Sequence, residues 1–319
     1  MTRAAPAAIA AAREIVYAAM PPTPTHSYPL LNGRTGATVF VKHENHTPVG
    51  AFKVRGGLNF MTGYAAEGRS EGVITATRGN HGQSIAYAAA RVGVAATIVV
   101  PEGNSQEKNA AMQSLGGTLV VHGHDFQAAA EHAAALAAAE GLFMLPSFDE
   151  RLVAGVATYA MELFEAAPDL DAVYVPIGLG SGICGIISAR DALGLKTDVI
   201  GVVSTGAPCY ALSFAAGAPV STNAADTMAD GMACRTPVAA AVATINSGAA
   251  RIVQVSDREI MAAMRAYFTD CHNVVEGAGA APLAALLQER DLMRGKRVGL
   301  ALSGGNIDMS LYLKALQDA

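Results

Sequence analysis

The chain has 319 residues, 51% hydrophobic and 15% charged, which is enough for two domains with buried cores and too apolar for a disordered chain. A formal net charge of −5, with no basic tract to neutralise a row of phosphates, excludes DNA and RNA as expected partners. The N-terminus shows no basic start, long apolar run or cleavage site, and no segment reaches bilayer-spanning length, so the expectation is a cytoplasmic protein with no membrane partner.

Apolar, β-branched runs alternate with Ala-rich helical stretches. Residues 37–42 (ATVFVK) and 72–77 (GVITAT) read as strands, and a helix is expected over 81–92. Strand 96–101, helix 105–115, strand 118–123 and helix 126–140 follow, each helix entered through a Gly, Asn or Asp turn. The Ala enrichment of 128–139 reads as helix propensity. A second series begins with strand 170–178 and helix 182–193, and continues with strands 198–204, 251–257 and 297–304. This is α/β order with buried parallel strands; no composition shift marks a boundary.

Cys184, Cys209, Cys234 and Cys271 form no C-x-x-C pair, so buried free thiols are expected rather than a zinc cluster or a disulfide framework. The pairs His43/His46 and His122/His124 lack supporting cysteines or carboxylates and read as loop or surface histidines, with no metal expected.

Four segments stand out: AFKVRGG (51–57) with Lys53 at its centre, TATRGNHGQS (75–84), PIGLGSGICG (176–185) and ALSGGNID (301–308). A lysine taken alone is a solvated charge. The 176–185 segment leaves an apolar strand and opens a helix, so its small residues let backbone N–H groups converge on an anion. In isolation that pattern suits a phosphate, a dinucleotide or merely a tight turn, since it is not a full G-x-G-x-x-G fingerprint.

Together with TPTHSYPL (23–30), VPEGNSQEKNAAMQSLGG (100–117) and TMADGMA (227–233), the four segments in this order closely resemble the serine/threonine dehydratase family of fold-type II pyridoxal-phosphate (PLP) enzymes. That family takes in threonine deaminase, serine racemase and hydroxyaspartate dehydratase, and the likeness runs nearly end to end. It implies a tryptophan synthase β-like fold of two three-layer α/β domains with pyridoxal 5'-phosphate in the cleft. Residues 1–65 and 150–319 would form the large domain and 66–149 a small inserted one. It also implies a homodimer and a small amino-acid substrate.

By the same resemblance, Lys53 is the Schiff-base lysine and the base at the substrate Cα. Phe52 either packs beside the cofactor or belongs to the core, and Arg55 is structural. Gly178, Leu179, Gly180, Ser181 and Gly182 match the phosphate loop. The family usually has four consecutive glycines here, so Leu179 must point away from the phosphate, and Ser181 adds a hydroxyl donor. Asn80 matches the partner of the cofactor's phenolic oxygen, and the turn Thr77, Arg78, Gly79, Asn80, His81 matches the seat of the substrate carboxylate, with His81 part of the turn rather than a general base. Ser303 matches the residue facing the pyridine nitrogen. A neutral hydroxyl there makes the ring a weaker electron sink, which favours prompt loss of a β-substituent over transamination. Asp230 and Glu276 read as cleft-organising residues.

The implied reaction is dehydrative deamination of threonine, serine or 3-hydroxyaspartate to a 2-oxo acid and ammonia. Two departures qualify it. Arg78 replaces the serine or alanine that precedes GNH in the family, which disfavours racemisation and suggests a bidentate pair with a carboxylate, against an outward-turned or loop-holding arginine. Val203 occupies the position of a cation-binding carboxylate in serine racemase, and a valine cannot ligate a hard cation. The chain as given stops just after SGGNID, so an appended regulatory domain and feedback control are not expected. The alternatives are a β-replacement enzyme of the cysteine-synthase type, a non-catalytic PLP-binding protein and, remotely, a nicotinamide dehydrogenase.

Overall fold

The computed structural model describes residues 3–317. In its first part α1 (Pro6–Tyr17), β1 (Thr25–His26), α2 (Pro29–Thr35), β2 (Thr38–His43) and α3 (Lys53–Ala66) follow one another. Next come β3 (Val73–Ala76), α4 (Asn80–Arg91), β4 (Ala96–Val100), α5 (Gln106–Ser114), β5 (Gly117–Val121), α6 (Phe126–Glu140) and β6 (Phe143–Met144). Then α7 (Glu150–Ala166) leads into β7 (Ala172–Pro176), α8 (Ser181–Ala192), β8 (Asp198–Ser204), α9 (Cys209–Ala216), α10 (Ala239–Gly248) and β9 (Arg251–Val255). The chain closes with α11 (Asp257–Cys271), α12 (Gly277–Gln288), α13 (Arg290–Met293), β10 (Arg297–Leu302) and α14 (Met309–Gln317).

These strands form two sheets, a six-stranded one in the order β1-β2-β10-β7-β8-β9 and a four-stranded one in the order β5-β4-β3-β6. All pairings are parallel except β1 with β2, so the strands need helical crossovers and bury both faces. The β-branched runs read from sequence supply those buried strands: β3 is buried throughout, and Val39, Val41, Tyr174, Ile200, Val298 and Leu300 fill one core of the larger sheet. β5 departs from that expectation. It sits at a sheet edge with a neighbour on one side only, and its Val121 is exposed. The short strands β1 and β6 carry too few residues to show a period.

From β7 the chain steps to β8 and β9 on one side, while β10 returns on the other, so the order reverses between β7 and β10. Open parallel sheets bind ligands at such a reversal, beyond the carboxyl ends of the strands. Those ends here are Pro176 and Leu302, and the residues just after them face a common cavity. No helix among the described residues is long and apolar enough to cross a membrane.

Candidate active site

Lys53 opens α3, and the turn before it is pinned to the end of β10: the Phe52 N–H donates to the Ser303 carbonyl at 2.9 Å. The Lys53 amine reaches across to α8, donating to Ser181 Oγ at 3.0 Å. Its carbonyl accepts from Ser84 Oγ at 2.7 Å, which ties α3 to α4. The amine lies 5.3 Å from the Phe52 ring centre, and that ring meets Tyr159 edge to face at 5.9 Å. Burial lowers the amine to about 8, because a charged ammonium loses hydration there.

The turn from β7 into α8 has no room for side chains where an anion would approach. A Cβ on Gly178 would collide with the Gly231 carbonyl oxygen, and Gly180 holds φ at +100°, a left-handed conformation costly for any residue with a Cβ. No side chain caps α8, so its first N–H groups are left for a ligand. Leu179 packs part-buried against the apolar core while still lining the cavity, and the Tyr210 hydroxyl fixes its carbonyl at 2.8 Å. Gly182 stands opposite the Phe52 ring.

The facing wall comes from the four-stranded sheet. Asn80 opens α4 and donates to both oxygens of Glu276, at 2.9 and 3.0 Å, across 196 residues of sequence. Its own oxygen accepts from Asn306 Nδ2 at 2.8 Å. Burial raises the Glu276 carboxyl, with Lys108 and the Asn80 bond pulling the other way. The buried Thr77 accepts the Gly79 N–H at 3.0 Å, which closes the turn, and no side chain caps α4. His81 is buried with its Nε2 lacking a partner among the described residues; burial and the nearby Lys53 lower it to about 3, so the ring is neutral. Arg78 is exposed at the cavity and has no hydrogen bond or ion pair to any described residue.

One cavity of about 400 Å³ takes in Phe52, Lys53, Thr77 to His81, Gly178 to Gly182, Glu276 and Ser303, so every site residue expected from sequence lines it. Sequence reasoning missed Asn306, which lies within the quoted 301–308 segment but had no assigned role, and Lys108, whose amine crosses the cleft to Asp230 at 2.9 Å. Two further links run beside that pair: Ser105 Oγ to Asp308, and Met309 N–H to Glu107 at 3.0 Å. Behind Lys53, Arg55 is fully buried between Glu44 (2.7 Å) and Glu162 (2.6 Å), and Lys42 meets Glu162 as well. Two cations and two carboxylates thus cancel in the interior.

Val203 is buried in β8, and no group of three or more His, Cys, Asp or Glu is placed to hold a metal among the described residues. The surface reading of His43 needs correction: it ends β2 fully buried, bonded to the Tyr28 hydroxyl at 2.9 Å, whereas His46, His122 and His124 are exposed. The four cysteines are free and buried.

An amine of lowered basicity between two uncapped helix starts, at the reversal point of a parallel sheet, defines an α/β enzyme suited to a cofactor with a carbonyl and a phosphate. A family model for pyridoxal-phosphate dependent enzymes matches residues 16–304, and the chain belongs to that family. It is 37% identical over 279 residues to an L-threonine ammonia-lyase of Geobacter sulfurreducens, covering 86% of this chain and 69% of that protein. An L-threo-3-hydroxyaspartate ammonia-lyase of Saccharomyces cerevisiae is 35% identical over 291 residues, covering 91% and 89%. Among solved structures, the processed threonine deaminase isoform 2 of Solanum lycopersicum superposes with a TM-score of 0.92 at 31% identity, covering 98% of this chain and 92% of that one. The fold is fold-type II, and the cofactor is pyridoxal 5'-phosphate.

Proposed function

We propose that this chain is a PLP-dependent ammonia-lyase that dehydrates and deaminates a β-hydroxy amino acid to a 2-oxo acid and ammonia. The observation that carries it is the Lys53 amine, of lowered basicity, 3.0 Å from Ser181 at the open start of α8. The ammonia-lyase relatives support the same reading.

Bound here, pyridoxal phosphate supplies a carbonyl that condenses with amines and a ring that draws electron density from the substrate Cα. The N–H groups of α8 and the Ser181 hydroxyl would hold the phosphate, at a turn whose path requires glycine at 178 and 180. Phe52 and Ser303, which line the cavity, would flank the ring, Ser303 offering only a neutral hydroxyl. Asn80, held by Glu276 and Asn306, would offer a fixed amide to the cofactor. The open N-terminus of α4 holds the substrate carboxylate. Lys53 would hold the cofactor through its amine and would take the Cα proton of the substrate, its lowered basicity leaving a useful neutral fraction near neutral pH. The neutral His81 ring adds no charge to this wall.

The two sheets support the division into a large domain from 1–65 and 150–319 and an inserted domain at 66–149. A cytoplasmic homodimer belongs to the same proposal, by family likeness. The test is release of 2-oxo acid and ammonia from L-serine, L-threonine and the 3-hydroxyaspartates by the PLP-loaded protein. Release from any of them supports the reading, and release from none overturns it.

A further inference from the structure

We propose that Arg78 receives a second carboxylate, on the side chain of the substrate, so that the preferred substrates are acidic β-hydroxy amino acids of the 3-hydroxyaspartate type. This rests on the ammonia-lyase reading and narrows it.

Four cations line the cavity: Lys53, Arg78, Lys108 and Arg235. Three are engaged. Lys53 donates to Ser181, Lys108 pairs with Asp230 at 2.9 Å, and Arg235 reaches the Asn223 carbonyl at 3.5 Å. Arg78 alone among them has no partner within the described residues. A guanidinium presents a planar fork of donors that matches a carboxylate through two parallel bonds.

The position of Arg78 assigns that carboxylate to the side chain rather than to Cα. The Gly79 N–H turns back onto Thr77, so the donors left open to a ligand begin at Asn80, inside the first turn of α4. The α-carboxylate is already provided for by those groups. Arg78 precedes them in the chain, is exposed, and lines the cavity. Charge balance agrees. Asp125, Asp230 and Glu276 also line the cavity and repel an acidic side chain, which an unpaired guanidinium offsets. A neutral serine side chain leaves Arg78 in water at no cost, so serine is a poorer substrate rather than an excluded one.

Wild type, Arg78→Gln and Arg78→Lys are compared, loaded with PLP, on L-serine, L-threonine and threo- and erythro-3-hydroxyaspartate. Wild type is expected to favour one hydroxyaspartate over serine by about 10-fold or more in kcat/KM. Arg78→Gln should lose about 10- to 100-fold on that substrate and less than about 3-fold on serine, with Arg78→Lys in between. A binding readout runs alongside: L-aspartate, which lacks the leaving hydroxyl, should perturb the cofactor absorbance at lower concentration than L-alanine, and Arg78→Gln should abolish the difference. Equal losses on all substrates would give Arg78 to the α-carboxylate and overturn the inference. Turnover of serine or threonine without a hydroxyaspartate preference overturns it while the ammonia-lyase reading stands; turnover of nothing overturns both. The side chain is exposed and unpartnered, so folding is not at stake.

Discussion

The two walls of the cavity are built by different rules. The wall from the six-stranded sheet is defined by exclusion and burial: Gly178 against a carbonyl, Ser303 buried, and behind Lys53 a sealed set of two cations and two carboxylates. The wall from the four-stranded sheet is defined by a few directed contacts, with Asn80 held by Glu276 and Asn306, and Arg78 free. The first wall tolerates little change because each position is set by packing on several sides. The second leaves one exposed position, Arg78, without a packed neighbour to fix its identity. On the proposed function, the phosphate is held from the larger sheet, while Asn80 and Arg78 present side chains to cofactor and substrate from the smaller one.

The largest break in that contrast is at Lys53. Lys53→Ala removes both the proposed attachment point and the proposed base, and kcat is expected to fall by about 10⁴-fold, with loss of the borohydride-reducible chromophore. A variant that kept a reducible chromophore and near-normal turnover would move the chemistry to another group. Next comes the buried set behind it. Arg55→Met leaves Glu44 and Glu162 without their main partner and should cost about 3–5 kcal/mol, read as a lower denaturation midpoint. The exposed Arg78→Gln should leave that midpoint unchanged, so equal shifts would erase the distinction between the walls. Gly178→Ala is smaller: one methyl against the Gly231 carbonyl displaces the turn by a strain of about 1–3 kcal/mol, expected as about 10- to 100-fold weaker cofactor binding in reconstitution titrations.

The same contrast explains what the sequence made legible. Lys53, the 178–182 turn and Ser303 sit in short segments that are ambiguous one by one, and they are legible because four such segments follow one another in an order that resembles a known family. The apolar period placed the sheet strands for a local reason: burial of β3 or β8 depends on the strand's own side chains. Glu162, by contrast, looks like any helical carboxylate until α7 brings it to Arg55, 107 residues away. Lys108 and Asp230 are likewise ordinary charges that meet only across the cleft, 122 residues apart. His43 appeared superficial because a histidine carries no mark of burial until Tyr28 bonds it. Partnerships over such separations have no local signature.

The smallest expected effect is also the most direct check on the buried side of the comparison. An ordinary lysine near 10.5 is about 0.03% neutral at pH 7, whereas an amine at about 8 is about a tenth neutral there and half neutral at pH 8. Only the neutral amine attacks a carbonyl, and burial lowers this group because the charged form loses hydration. Capture of pyridoxal phosphate by cofactor-free protein should therefore speed up about fivefold from pH 7 to 8 and level off above it, followed as growth of the bound chromophore. A rate still climbing tenfold per unit at pH 9.5 would mean an amine as basic as one in water. Lys53 would then sit in a hydrated, open wall like that of Arg78, and the division between a sealed cofactor side and an open substrate side would fail at its central residue.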